Sequence, residues 1–180
     1  MTELNNPLLQ QAETQVESQL TPDNRANYLK IVVAGLHAAL NGGPNGILAS
    51  LKQSQDPISD AAKGAVSLTL ILRKEARGVM PLKAMVPAAM TLMLKALDFA
   101  DRAGIVKIGQ PELVRATHIF TDFLFDRMGI TKQGLANAAQ KVHALTQDPA
   151  AMAKINVKAG LAPHPGAAPF GRGLINGGVT

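Results

Sequence analysis

The residues best suited to chemistry in this sequence are few. Arg115, His118, Asp122 and Asp126 follow one another at steps of three, four and four, which places them on one face of a helix. An imidazole and two carboxylates in that arrangement would ligate a divalent metal if a second helix supplied more ligands. The opposite face of the same segment carries Leu113, Ala116, Ile119, Phe120, Phe123 and Leu124. The charged set therefore reads as the solvent side of an amphipathic helix. His37 lies among Leu36, Ala38, Ala39 and Leu40 and reads as a hydrogen-bonded or half-exposed packing residue. No HExxH, P-loop or GxSxG pattern occurs, and no Ser or Thr has a local base to activate it. Cysteine is absent, which removes disulfides, thiolate ligands and a Cys nucleophile together. These residues assign no catalytic, cofactor or metal site, and the chain reads as non-enzymatic.

Phosphate contact is the other chemistry on offer. Residues 61–109 hold eight Lys and Arg against three Asp and Glu, whereas residues 1–60 hold three against six. Lys63, Arg73, Lys74, Arg77 and Lys83 are the candidate phosphate or lipid contacts in this basic middle. Helical spacing scatters them around a cylinder and Glu75 interrupts them, so a solvated face is the simpler reading. No aromatic lies nearby to stack on bases, which argues against single-strand recognition. The segments 111–128 and 132–147, joined through Gly129-Ile130-Thr131, have the spacing of a helix-turn-helix. The second would offer Asn137, Gln140 and Lys141 to a groove, but its positive charge is thin. A DNA-binding or regulatory protein is thus the alternative to a protein that works by protein contact.

The elements that must carry these side chains are marked by regular punctuation. Asn6-Pro7, Thr21-Pro22, Asp56-Pro57, Gln110-Pro111 and Asp148-Pro149 each set a proline after a polar turn residue. Proline suits the first helical position, where its missing N–H costs nothing, and Asn, Thr and Asp can accept from the first free amides. Glycine closes the other ends, at Gly42-Gly43, Gly78, Gly104, Gly129 and Gly160. Helices are expected over 7–20, 22–41, 45–54, 57–77, 81–103, 111–128, 132–147 and 149–159. Apolar stripes such as Leu9, Ala12, Val16 and Leu20, or Leu135, Ala138, Val142 and Leu145, keep to one helical face. The best strand candidate, Ile105–Ile108, has no evident partner.

Only 3% of the residues are aromatic although 47% are apolar, so Ala, Leu, Ile, Val and Met must fill the interior by close helix packing. The apolar runs 65–72 and 84–94 are shorter than the ~20 residues of a spanning helix and read as a buried hairpin. Membrane contact through 65–94 is the minority reading. Pro87 is expected to kink or break the helix that contains it. Met80, Met85, Met90 and Met93 around it read as core first and as an adaptable interface second.

The fold class is therefore all-α. A multi-helix bundle of about seven or eight helices occupies residues 1–160, and an extended Gly/Pro-rich C-terminal arm occupies residues 161–180. The arm cannot build a core of its own, yet it carries Phe170, Arg172, Leu174, Ile175 and Val179. These five are the candidate partner-binding residues, suited to a neighbouring subunit in a homo-oligomer or larger assembly.

The stretches LNNPLLQQAETQVESQL, KQGLANAAQKVHAL and GRGLINGGVT give the chain an Ala-, Gly- and Gln-rich texture. In this it resembles the small virion proteins of tailed bacteriophages, including the helical ejection proteins near the portal. The resemblance implies a structural component stored in the virion that passes into the host envelope. It carries no motif, so no residue role transfers. The acidic, polar N-terminus reads as neither signal peptide nor transit peptide, and a virion or cytoplasmic location is expected. Deleting residues 161–180 is expected to leave far-UV helicity nearly unchanged while abolishing oligomerisation or partner capture in sedimentation experiments. Unchanged assembly would exclude the arm.

Overall fold

A computed structural model of the chain describes residues 4–41 and 47–131, together with 133, 134, 136, 137 and 140. The described residues form helices and connecting turns, with no strand among them. Six helices are bounded: α1 Pro7–Ser18, α2 Pro22–Asn41, α3 Ile47–Gln53, α4 Pro57–Glu75, α5 Leu82–Arg102 and α6 Gln110–Arg127. All six belong to one compact unit that ends at Ile130. In the second unit, which begins at Thr131, the described positions from 133 onward are helical. There the Gly134 amide donates to the Thr131 hydroxyl at 3.0 Å, a cap for the expected seventh segment. The rest of that segment, the expected eighth helix and the arm with Phe170, Arg172, Leu174, Ile175 and Val179 lie outside the described residues.

The helix starts follow from their caps. The Asn6 side chain accepts from the Leu8 amide at 3.0 Å and Asp56 accepts from the Ser59 amide at 3.2 Å, each beside a proline at the first position. At α6 the cap is not Gln110, as the proline pattern suggests. It is Gly109, whose amide donates to the Glu112 carboxylate at 3.0 Å, with Pro111 one place further in. Gly78, Gly104 and Gly129 all take positive φ at or just beyond helix ends.

The centre of the unit is α5. Thirteen of its residues are buried, and α1, α2, α3 and α4 all pack on it, while α6 packs chiefly on α4. Met85 and Met93 are fully buried and Met80 and Met90 partly so, as the core reading of that patch expects. The main cluster takes Leu9 from α1, Leu51 from α3, Ala62 and Val66 from α4 and Phe120 from α6. A smaller cluster joins Tyr28, Ile31 and Val32 of α2 to Ala84 and Ala88 of α5. Pro87 does not break α5, which continues as one helix through Arg102. The carbonyl deprived of its helical partner belongs to Lys83, in an exposed first turn where water can replace the lost bond. The Ile105–Ile108 run is the connection between α5 and α6, and only Ile108 in it is buried.

One close approach sets the α2–α5 spacing. A Cβ on Gly35 would lie 2.4 Å from Leu92 Cδ1 and 2.8 Å from Cδ2, so the helices meet through a missing methyl. Gly35→Ala adds about 1 kcal/mol of helix propensity but sets against it roughly 1–3 kcal/mol of overpacking. Denaturant titration should therefore show a loss of about 0–2 kcal/mol in the parent. In a Leu92→Ala background the same change should become stabilising; a loss of equal size in both backgrounds would show that the contact is not what constrains Gly35.

Candidate functional site

Three places concentrate polar or exposed apolar groups: a buried polar seam between α1 and α5, a groove between α2 and α4, and the turn joining α4 to α5.

The seam arises because α5 turns Thr91, Lys95 and Asp98 inward at steps of four and three, with Arg102 four residues further on. Lys95 Nζ lies 3.0 Å from Glu13 of α1, with both side chains largely buried. Asp98 is 1% exposed; one carboxylate oxygen accepts the Asn5 and Asn6 amides at 2.8 and 3.0 Å, and the other lies 3.0 Å from Arg102. The carboxylate thus stands at the start of α1, where unpaired amides and the helix dipole favour negative charge. Asn6 Nδ2 donates to Asp101 at 2.7 Å and to the Ile108 carbonyl at 3.0 Å, fastening the same corner to the α5–α6 connection. Further along, the Tyr28 and Thr91 hydroxyls are 2.9 Å apart, and Tyr28 donates to Glu17 at 3.3 Å. No buried side-chain polar atom among the described residues lacks a partner. The buried groups of the seam thus find their partners within the fold, which holds α1 against α5.

Lys95, which in the sequence looks like a cation flanking an apolar run, is therefore withdrawn from any basic surface. The residues over 113–126 separate as the amphipathic reading requires. Arg115, His118, Asp122 and Asp126 are exposed, while Ala116, Phe120 and Leu124 are buried. Arg115 pairs with Asp56, the α4 cap, and so ties α6 to that corner. No group of His and carboxylates able to hold a metal ion occurs among the described residues. His37 is exposed, with its Nε2 2.8 Å from Asn41 Nδ2.

The α2–α4 groove has a volume of about 680 Å³ and is lined by Leu29, Lys30, Val33, Ala34, His37, Ala38, Leu72 and Glu75. Val33 is 58% exposed, and Ile71 on α4 is 54% exposed. Lys30 and Glu75 put opposite charges on the lining, one from each helix.

The α4–α5 turn gathers four of the five candidate phosphate or lipid contacts. Arg73 and Lys74 occupy the last turn of α4, Arg77 lies in the connection and Lys83 in the first turn of α5. Lys63 is exposed but stands ten residues before Arg73, about 15 Å back along α4. Between the cations Val79 is 81% exposed and Leu82 43% exposed. Arg77 takes φ +52°, the one non-glycine positive φ among the described residues, and Gly78 follows at +77°. The Gly78 amide donates to the Arg73 carbonyl at 2.9 Å and closes α4. The protruding apolar pair is missed when 65–94 is read as one buried hairpin; the available signal was Val79 and Leu82 in a turn bracketed by Arg77 and Lys83.

No helix among the described residues is long and apolar enough to cross a membrane. Comparison with protein-family models, with curated proteins and with solved structures finds no match for this chain.

Tyr28 is the single tyrosine and tryptophan is absent, so its phenol can be watched alone. Burial pushes its pKa up from 10.0 to about 12; the Thr91 hydrogen bond lowers it, and the Glu17 and Glu13 charges raise it further. Because the folded value is the higher one, the associated stability is complete below pH 10 and is lost as pH rises from about 10 to about 12. Phenolate absorbance of the folded protein should rise near pH 12, and Tyr28→Phe should remove that stretch of the stability profile. A midpoint at 10 in the folded state would show the phenol to be solvated.

Proposed function

We propose that this chain is a non-enzymatic assembly protein that self-associates through the α2–α4 groove, as a structural component of the kind found in tailed-phage virions. The observation that carries the reading is the groove itself, apolar along Leu29, Val33, Ala34 and Leu72 and bordered by exposed Ile71. Scattered exposed aliphatics are ordinary on a monomer, but a lined apolar groove is the usual seat of a packed helix. A second copy is the occupant that its charges favour. Lys30 and Glu75 belong to one groove and make no ion pair with each other, so a two-fold partner can set Lys30 against Glu75 twice. The virion setting rests on the textural resemblance of the sequence, and the C-terminal residues Phe170, Leu174, Ile175 and Val179 would add anchors beyond the groove.

The non-enzymatic part of the reading rests on the sequence, which carries none of the HExxH, P-loop or GxSxG patterns.

Equilibrium sedimentation tests the proposal. The full chain is expected to dimerise, and Val33→Arg should weaken dimerisation roughly tenfold or more, because a buried aliphatic becomes a cation inside an apolar contact. Lys30→Glu and Glu75→Lys should each weaken it a few-fold, roughly, as rim charges do, and the double exchange should restore it. A monomer at all concentrations, or a dimer indifferent to Val33→Arg, would sink the groove as the contact.

A further inference from the structure

We infer that the α4–α5 turn is a docking tip for an anionic lipid surface, a contact separate from the α2–α4 groove. The tip is built like a shallow membrane anchor. Val79 stands 81% exposed and Leu82 43% exposed at the end of the hairpin, while Met80 behind them packs against the α2–α5 cluster. Arg73, Lys74 and Arg77 precede the pair along the chain and Lys83 follows it, and Glu75 is the one acidic residue among residues 73–83. Two consecutive left-handed residues, Arg77 at +52° and Gly78 at +77°, turn the chain before Val79. Arginine in that conformation is strained, and the turn gives Val79 little burial in return. A Cβ on Gly78 would meet nothing within 4 Å, so the space beside Gly78 is open.

Charge and apolar exposure together select the partner. Cations alone would suit nucleic-acid phosphates as well as lipid headgroups, since both are read through the same ion contacts. Protruding aliphatics decide between them: Val79 and Leu82 gain from burial below a headgroup layer and gain nothing against a phosphate backbone. No aromatic stands in the tip to stack on a base. The depth required is small, and no membrane-spanning helix is involved.

The test is co-sedimentation of the full chain with vesicles of phosphatidylcholine containing 30% phosphatidylglycerol, beside pure phosphatidylcholine vesicles and a duplex DNA. The parent is expected to bind the anionic vesicles, more weakly as salt rises, and to ignore the neutral ones. Val79→Ser with Leu82→Ser should lower that affinity roughly tenfold or more. Arg77→Gln with Lys83→Gln should lower it roughly 20- to 30-fold. Both substitutions sit at exposed positions, and circular dichroism verifies that the helices remain. Lys107→Gln, beyond the far end of α5 and with half the charge change of the double glutamine variant, should bind as the parent does. Failure to bind anionic vesicles overturns the proposal, and so does binding indifferent to Val79→Ser with Leu82→Ser. Duplex DNA bound as tightly as the vesicles and unaffected by that pair would assign the tip to nucleic acid instead.

Discussion

Two charges buried on the central helix determine where the first helix lies. Lys95 and Asp98 are enclosed by the packing of α5, and an isolated ion in such a place would cost several kcal/mol, roughly. Glu13 meets the first, and the Asn5 and Asn6 amides with Arg102 meet the second. These partners are fixed in position and number, so α1 has one register on α5. Its apolar contribution is small, since Leu9 is its one buried residue and Leu4 lies just before it. Apolar contact alone would let such a helix slide or rotate, because dispersion and hydrophobic burial carry little direction. The polar seam supplies specificity where the oil is thin.

The remainder of the core follows from scarcity of aromatics. Ala61, Ala62 and Ala65 of α4 and Ala89 and Ala96 of α5 are buried together in the main cluster, while Ala84 and Ala88 of α5 join the cluster with α2. Gly35 extends the same device to α2, where Leu92 occupies the space a side chain would have taken. Larger volumes enter only at chosen points, with Phe120 from α6 and Tyr28 from α2. Tyr28 brings a hydroxyl inside, and Thr91 and Glu17 satisfy it.

Helix boundaries were legible in the sequence because caps are local. The six bounded helices end within two residues of the places that proline, polar turn residues and glycine mark. The α6 start differs because Gly109 and Glu112 form the cap and push Gln110 inside the helix. What depends on distant partners was hidden. Lys95 looks solvated until α1 brings Glu13 to it, and nothing near Gly35 announces Leu92. The sequence offers Arg73, Lys74, Arg77 and Lys83 as candidate contacts, but cylinder spacing disperses them. A turn gathers what a helix scatters, and exposure of Val79 depends on a left-handed arginine that no composition rule selects.

The groove and the tip constrain each other. Leu72 lines the groove while Met80 belongs to the tip, and both pack on the cluster of Tyr28, Ile31, Val32, Ala84 and Ala88. The two surfaces are therefore neighbours at one end of the hairpin. A two-fold axis across the hairpin would send the two tips to opposite sides of a dimer, where one flat bilayer could meet only one of them. An axis along the hairpin keeps both tips on the same side and still sets Lys30 of one copy near Glu75 of the other, since both residues line the same groove. Only this second arrangement lets self-association strengthen lipid docking, because the second tip then binds at the high effective concentration set by the first. If both proposals hold in one assembly, the symmetry axis runs along α4 and α5, normal to the lipid surface.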